Sequence, residues 1–519
     1  MGDILEKIVA KRREDLKRFG ATLGVCLPAS RGREVVPFLQ NSGVILEVKR
    51  ASPSRGDIAP DLDAAATAKT YAKCGAAAIS TLTERHFFKG GLEDLLAVCA
   101  AVDEVAGSNL VLTNSPKPAV LRKDFLIAPE EIDAAFLAGA DAVLLIARIL
   151  DEELLLKMAS KAGELGLGVL FEVREKADLQ KLAFLNKKLS LKNFVCGVNC
   201  RDLATFEVDL LAPLRVKNEI NLLNSNLKIV FESGVKTPSA AAFAKGCGFE
   251  GLLLGEAAAS NPQNAAAFVE AFKEARENSA CLKWGEFAVK EANLNAAQSS
   301  YNTQKTAFKR RAPFVKICGV TNEEDAVFCA QNGADFLGFV LAKNSPRRAD
   351  LEFVKRVRAV LSKSNLTPTL VGVVTDEAQA KEAAGLVESG AIDLVQFHGF
   401  APPEFTQQKP PCFCAVNLAS QEDLAVLASR FNAGEPRVLL DSGTAKSGGS
   451  GVRVEKGLVK EAAKLAPLWL SGGINEQNVA ELAAEFSPEL IDASSGLEAE
   501  VGRKSRQKVA EFFAALREL

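Results

Sequence analysis

Charged and amide side chains stand at the ends of short apolar runs throughout the first half of the sequence. Glu47-Val48-Lys49 closes GVILEVK, and Lys123-Asp124 closes AVLRKD. Glu172 lies near the end of GVLFEV, Asn199-Cys200-Arg201 follows FVCGV, and Glu232-Ser233-Gly234 ends KIVFES. Each such charge is costly on a buried strand without a partner. If the runs are strands opening on one mouth, these groups can partner one another and a substrate. A lysine crowded by other cations in an apolar mouth has its pKa lowered and can give up a proton near neutrality. Taken alone, Lys123 is better read as pairing with Asp124 or a nearby glutamate, and a lysine at a strand end also suits Schiff-base chemistry. The second alternative leaves Glu47, Asn199 and Arg201 unexplained. Two Gly-polar pairs, Ser233-Gly234 and Gly255-Glu256, follow the last two runs, where backbone N–H groups can receive a phosphate.

The elements that must hold these residues are readable from the pattern. In the first half the strand-like runs are GVILEVK, AAAISTL, AVLRKD, DAVLLI, GVLFEV, FVCGVN, KIVFES and GLLLGE. Between them lie amphipathic stretches such as DEELLLKMASKAGEL and TPSAAAFAKG. Continuous apolar strands alternating with helices indicate a parallel sheet covered by helices, and eight such units close into a (β/α)8 TIM barrel. A second series of eight begins near residue 313: PFVKIC, DFLGFVL, TLVGVV, IDLVQF, CFCAVN, RVLLDS, LWLSGG and LIDASSG. Periodicity alone leaves an open doubly wound sheet as the alternative. The expected organisation is α/β, with two tandem barrels: residues 1–275 with an extra N-terminal helix, a linker at 276–312, helical in part, and residues 313–519. The linker is rich in Asn, Gln, Ser and Lys, without a clear strand.

Composition narrows the function classes. The 519 residues are 48% hydrophobic and 25% charged with a net charge of −2, which fits a folded protein of more than one domain and offers no electrostatic surface for nucleic acid or anionic lipid. The N-terminal MGDILEKIVAKRREDLKRF reads as a charged amphipathic helix rather than a secretory signal. No apolar stretch approaches the roughly 20 residues that span a bilayer. Eleven cysteines without a framework spacing point to reduced thiols and a cytoplasmic location. Cys196-x3-Cys200 and Cys412-x-Cys414 are better read as small buried hydrophobes than as metal ligands, since tetrahedral zinc needs four ligands and the chain has two histidines. No metal and no other cofactor is expected.

ILEVKRASPSRGDIAP (45–60) closely resembles the opening signature of indole-3-glycerol-phosphate synthases. The resemblance runs through LTERHFFKGG, VLRKDFLI, GADAVLLIARIL, FEV, GVNCRDLATFEVD and ESGVKT, over roughly residues 1–270. It implies closure of a pyrrole ring on carboxyphenylamino-deoxyribulose phosphate with loss of carbon dioxide and water. By resemblance Lys123 is the general acid, Lys49 sharing that role as an alternative, and Glu172 handles protons during dehydration. Lys49 and Arg201 hold the substrate carboxylate, and Glu47 and Asn199 orient the hydroxyls. Phe88, Phe125 and Leu144 line the anthranilate pocket. Ser52, Gly234, Gly255 and Glu256 form the phosphate site, with Glu232 and Ser233 beside it. EVAGSNLVLTNSPKPA and NKKLSLKN look longer than the family's segments; as loops entering strands they belong on the rim opposite the chemistry.

VKICGVTNEEDA (315–326) resembles the start of phosphoribosylanthranilate isomerases, with GADFLGFVLAKNSPR, VQFHG, LLDS, GGSG, LSGGINEQNV and IDASSGLE following in order to residue 519. These enzymes perform an Amadori rearrangement with one general acid and one general base. By resemblance Asp441 protonates the furanose oxygen, and Cys318, as thiolate, removes the sugar proton. A thiolate there needs nearby cations or helix N-termini. Arg347 binds anthranilate, His398 stands in the site as a hydrogen-bonding group, and Gly472-Gly473 with Ser494-Ser495-Gly496 cradle the phosphate. One departure is the segment after GGSG, where GVRVEKGLV lacks the family's aromatic residues and affinity could differ.

The second half's product is then the first half's substrate. Three readings follow: two active barrels, with small phosphosugar-anthranilate substrates and a monomeric chain; an active synthase whose second barrel only binds a phosphate ligand; or an unrelated sugar-phosphate lyase or aldolase. Intact Cys318, Asp441 and Arg347 favour the first.

Overall fold

The computed structural model describes residues 4–107, 116–201, 208–277, 280–289, 313–402, 410–441 and 455–519. Residues 108–115 of EVAGSNLVLTNSPKPA, residues 202–207 of the RDLATFEVD motif, most of the linker (290–312) and the GGSG motif with the altered residues 452–454 lie outside them. Contacts divide the chain into two compact units, Met1–Glu277 and Asn278–Leu519.

Among the described residues each unit is built on a closed barrel of eight parallel strands in sequence order. The first contains β1 (Gly43–Val48), β2 (Ala78–Leu82), β3 (Ala119–Lys123), β4 (Ala142–Ile146), β5 (Gly168–Val173), β6 (Phe194–Asn199), β7 (Lys228–Glu232) and β8 (Gly251–Leu254). The second contains β9 (Phe314–Cys318), β10 (Phe336–Val340), β11 (Thr369–Val374), β12 (Leu394–His398), β13 (Cys412–Asn417), β14 (Val438–Asp441), β15 (Trp469–Ser471) and β16 (Leu490–Ala493). Closure rules out the open doubly wound sheet.

The strands read as unbroken apolar runs because both faces are covered; AVLLI in β4 and VLLD in β14 are buried at every position. Helices begin just beyond the strand ends, where short polar side chains accept their first free N–H groups. Asp63 accepts from Ala66, Asp151 from Leu154 and Thr237 from Ala240 in the first unit. Asn322 accepts from Asp325 and Asp350 from Phe353 in the second. This packing turns the C-terminal strand ends, with their polar residues, toward one mouth of each barrel.

The opposite floors are sealed differently. In the first unit Phe38 and Leu39 join the core beneath the strands. In the second, residues 280–289 of the segment read as linker are helical and belong to the barrel. Phe287 stacks at 5.0 Å on Phe314 and 5.7 Å on Trp469, and Trp284 lies 6.0 Å from Trp469. Phe314 and Trp469 open β9 and β15, so the helix plugs the N-terminal end.

Trp284 and Trp469 are the chain's two tryptophans, so tryptophan emission reports on this unit alone. Phe287→Ala empties a buried aromatic site, worth roughly 3 kcal/mol or more. In urea titrations the emission transition of this variant is expected at clearly lower denaturant, with synthase activity surviving to the wild-type concentration. An unmoved emission midpoint would mean that the helix merely rests on the floor.

Candidate active sites

In the first barrel the strand ends meet. Glu47 of β1 is buried and accepts from Lys49 Nζ at 2.7 Å and Lys123 Nζ at 3.0 Å, one on each carboxylate oxygen. Lys123, ending β3, also lies 3.8 Å from the Glu232 carboxylate at the end of β7. Burial alone would raise the Glu47 pKa, but the two ammonium groups outweigh it and hold the carboxyl at about 2. Burial would lower Lys123, yet Glu47, then Glu232 and Glu172, raise it well above the usual lysine range. This corrects the sequence expectation: the mouth surrounds Lys123 with carboxylates from three other strands, not with cations, and keeps it charged.

Glu172 and Glu232 behave oppositely. Burial pushes both up, each carboxylate raises the other or is raised by further acids, and Lys123 only partly opposes this. Neither Glu232 oxygen has a hydrogen-bond partner among the described residues. Carboxyls raised in this way keep their protons to higher pH than a free carboxylic acid, which suits exchange of protons with a bound molecule.

Around this centre stand the other expected residues. Asn199 ends β6, pairs in register with Glu232, and its Oδ1 accepts from the Arg201 N–H at 3.0 Å. Phe88 and Phe125 lie 5.9 Å apart, and Leu144 is buried on β4. Ser233 takes a left-handed φ of 69° and Gly234 follows at 73°; strain of this kind in a residue with a Cβ marks a loop shaped for something other than stability. A Cβ on Gly255 would fall 2.4 Å from both Glu47 Oε1 and Lys49 Nζ, so the glycine makes room for the charged pair. Ser52 lies in a small hairpin, 51–52 with 56–57, and the neighbouring Arg55 forms an ion pair with Glu256. The Glu256 side chain is thus committed to Arg55, leaving its backbone N–H as the group that can meet a phosphate.

Sequence reasoning missed the support beneath Lys123. Arg12 of α1 (Ile4–Phe19) is buried and forms ion pairs with Asp124 and, at 3.7 Å, with Glu131. Arg122, fully buried, lies 3.4 Å from Asp124 and donates to the Glu131 carbonyl at 2.9 Å. The extra N-terminal helix is thereby wired to the strand end that carries Lys123. Glu84, likewise unanticipated, accepts from the N–H groups of residues 86, 87 and 88 and fixes the Phe88 backbone.

In the second barrel Cys318 ends β9 and Asp441 ends β14, both buried. His398 Nε2 lies 3.6 Å from Asp441 Oδ2, an electrostatic contact beyond hydrogen-bond range. Arg347 makes a two-point pair with Glu498 at 2.8 and 2.9 Å. Gly472 and Gly473 both have positive φ, 96° and 62°, and Asn478 Nδ2 donates to the Gly473 carbonyl at 2.9 Å. Ser494 Oγ donates to the Cys318 carbonyl at 3.1 Å, bringing the loop of Ser494, Ser495 and Gly496 against β9.

The cations sought for Cys318 are two buried lysines that the sequence did not single out. Burial outweighs the rest and holds the thiol above its ordinary pKa, with Asp492 adding to the rise; Lys316, then Lys504, offset only part of it, so the thiolate depends on these two ammonium groups. Lys316 sits two residues before Cys318 on the same face of β9 and pairs with Asp492 of β16 at 2.7 Å. A Cβ on Gly338 of β10 would come within 2.8 Å of Cys318 Sγ, so this glycine provides the space for the sulfur. The signal available was the period-2 alternation that puts Lys316 inside the barrel.

Comparison with known proteins accords with this geometry. Residues 5–272 match the family model for indole-3-glycerol phosphate synthase, and residues 315–515 that for N-(5'-phosphoribosyl)anthranilate isomerase. A multifunctional tryptophan biosynthesis protein of Schizosaccharomyces pombe is 31% identical over 99% of this chain, which spans 66% of that protein's length. The tryptophan biosynthesis protein TrpCF of Helicobacter pylori is 27% identical over 95% of this chain and 93% of its own. An indole-3-glycerol phosphate synthase of Bacillus mycoides is 37% identical over 50% of this chain and 93% of its own. With both barrels matched in order along one polypeptide, the chain belongs to the indole-3-glycerol phosphate synthase family through its first half and to the phosphoribosylanthranilate isomerase family through its second.

Proposed function

We propose that the chain carries out two consecutive steps of tryptophan biosynthesis. The second barrel isomerises N-(5-phosphoribosyl)anthranilate to 1-(2-carboxyphenylamino)-1-deoxyribulose 5-phosphate. The first closes and decarboxylates that product to indole-3-glycerol phosphate. The observation that carries the reading is the presence, at each mouth, of a proton donor and a proton acceptor of separate character on different strand ends.

In the isomerase, Asp441 protonates the furanose oxygen so that the ring opens to an imine, and Cys318 as thiolate takes the proton from the adjacent sugar carbon. Arg347 receives the anthranilate carboxylate, and the loops after β15 and β16 receive the phosphate. In the synthase, the carboxylates around Lys123 keep it protonated, so it brings to the ribulose carbonyl the proton that ring closure needs. Glu172 and Glu232, raised by burial, take up and return protons during dehydration. Lys49 and Arg201 hold the substrate carboxylate against the Phe88–Phe125 pocket. The two-active-barrel reading is favoured over a merely binding second barrel because Cys318, Asp441 and Arg347 stand together with two buried lysines near the sulfur. Small phosphosugar substrates, a monomeric chain and a cytoplasmic setting complete the proposal. Nine of the eleven cysteines are buried as single thiols, in keeping with a reducing compartment. Among the described residues no helix is long and apolar enough to cross a membrane.

Feeding phosphoribosylanthranilate, generated in situ, to the full chain tests the reading. Loss of substrate fluorescence and appearance of indole-glycerol phosphate are both expected. Lys123→Ala is expected to accumulate the ribulose intermediate with synthase turnover down by on the order of 100-fold or more. Turnover of supplied ribulose intermediate alone would make the second barrel a binding module.

Glu232→Gln separates function from stability. A carboxyl whose folded pKa is raised above its unfolded value contributes its full stability below the unfolded pKa, about 4.3, and loses it as pH rises toward the folded value. The variant should therefore gain melting temperature over wild type progressively from pH 5 to pH 8 while losing synthase activity. An equal gain at every pH would show that Glu232 is not held partly protonated.

A further inference from the structure

The hairpin that follows β16, residues Glu498–Glu500 paired with Arg503–Lys504, carries a lysine that none of the proposed chemistry uses. The Lys504 side chain is 1% exposed. A buried ammonium costs several kcal/mol unless its three N–H groups are satisfied. Here three acceptors lie around it: the Cys318 carbonyl at 2.7 Å, the Ser494 carbonyl at 3.0 Å and Glu498 Oε1 at 3.4 Å. Its own backbone N–H donates to Asp325 Oδ2 at 2.8 Å, which pins the hairpin to the helix after β9.

Each acceptor belongs to a different working part. Cys318 is the proposed base, Ser494 opens the proposed phosphate loop, and Glu498 grips Arg347, the proposed anthranilate-binding arginine. We propose that Lys504 is a positioning residue of the isomerase reaction: one buried ammonium sets the base, the phosphate loop and, through Glu498, the arginine in a common frame. The inference rests on the isomerase reading above and adds to it a residue that touches no substrate. Its charge also counts. Of the groups facing the Cys318 sulfur, Lys316 and Lys504 favour the thiolate while Asp492 disfavours it, and Arg347 lies close enough to sense the thiolate's charge.

The test uses the full chain with Lys504→Met, which keeps most of the side chain's length and removes the charge, beside Glu498→Gln and Cys318→Ala. Lys504→Met should lower isomerase kcat/KM by on the order of 100-fold, the scale of a misplaced reacting group, with kcat and KM both affected. It should also move the pH profile of Cys318 alkylation by iodoacetamide, read by mass spectrometry, to higher pH. Synthase activity should stay at the wild-type level. Glu498→Gln, which loosens the grip on Arg347 and leaves the two carbonyl acceptors of Lys504 in place, should raise KM and leave the alkylation profile close to wild type. A folded Lys504→Met protein, with unaltered tryptophan emission, wild-type isomerase kinetics and an unmoved alkylation profile overturns the proposal. If Lys504→Met does not fold, Glu498→Gln decides, and a wild-type KM overturns it. An active Cys318→Ala would instead sink the underlying assignment of the base, which keeps the two failures apart.

Discussion

An ionised group inside a barrel of Val, Ile and Leu is tolerated only where other charges or hydrogen-bond partners surround it, and in this chain many such places lie at or near the strand ends. Glu47 illustrates the rule, since it is fully enclosed and remains a carboxylate because Lys49 and Lys123 each occupy one of its oxygens. Lys123 is held charged by the same contact. From that mutual dependence follow the glycine at 255, which leaves space for the pair, and the Arg12–Asp124 tie that anchors the next residue of the chain. The second barrel obeys the same constraint with different groups: Lys316 with Asp492 inside the strands, and Lys504 with Glu498 at the rim.

The compensation is incomplete, and the shortfall lies where chemistry is proposed. Glu232 has neither oxygen hydrogen-bonded among the described residues and sits 3.8 Å from Lys123, a distance that supports attraction without a hydrogen bond. Asp492 likewise keeps one oxygen without a partner. A site evolved for stability would pair these atoms or replace them. Leaving them open keeps their protons available at the expense of fold stability, a common relation between activity and stability.

Much of this was legible in the sequence because the barrel makes position readable. A polar residue that terminates an apolar run must reach a mouth, so Glu47, Lys123, Glu172, Asn199, Glu232, Cys318 and Asp441 could be named before any coordinates. What escaped were relations across strands. The direction of the Lys123 shift was misread because Lys49 and Arg201 stood out in the motifs, whereas the nearest charges come from β1, β5 and β7. Lys316 was passed over as one polar residue inside a strand. Lys504 and Glu498 lie in a hairpin that periodicity does not describe. The floor-sealing helix at 280–289 was hidden in a polar segment, where only Trp284 and Phe287 hinted at burial.

On the proposed chemistry each barrel contains a complete site, so that neither half needs the other's residues. Mixing two separately impaired full-length chains tests this most directly: Cys318→Ala, defective in the isomerase, with Lys123→Ala, defective in the synthase. Each alone should form negligible indole-glycerol phosphate from phosphoribosylanthranilate. Together they should restore its production, because the intermediate released by one chain is taken up by the other. A mixture as silent as its components, with each remaining single activity intact, would contradict the claim that the two sites are independent and complete.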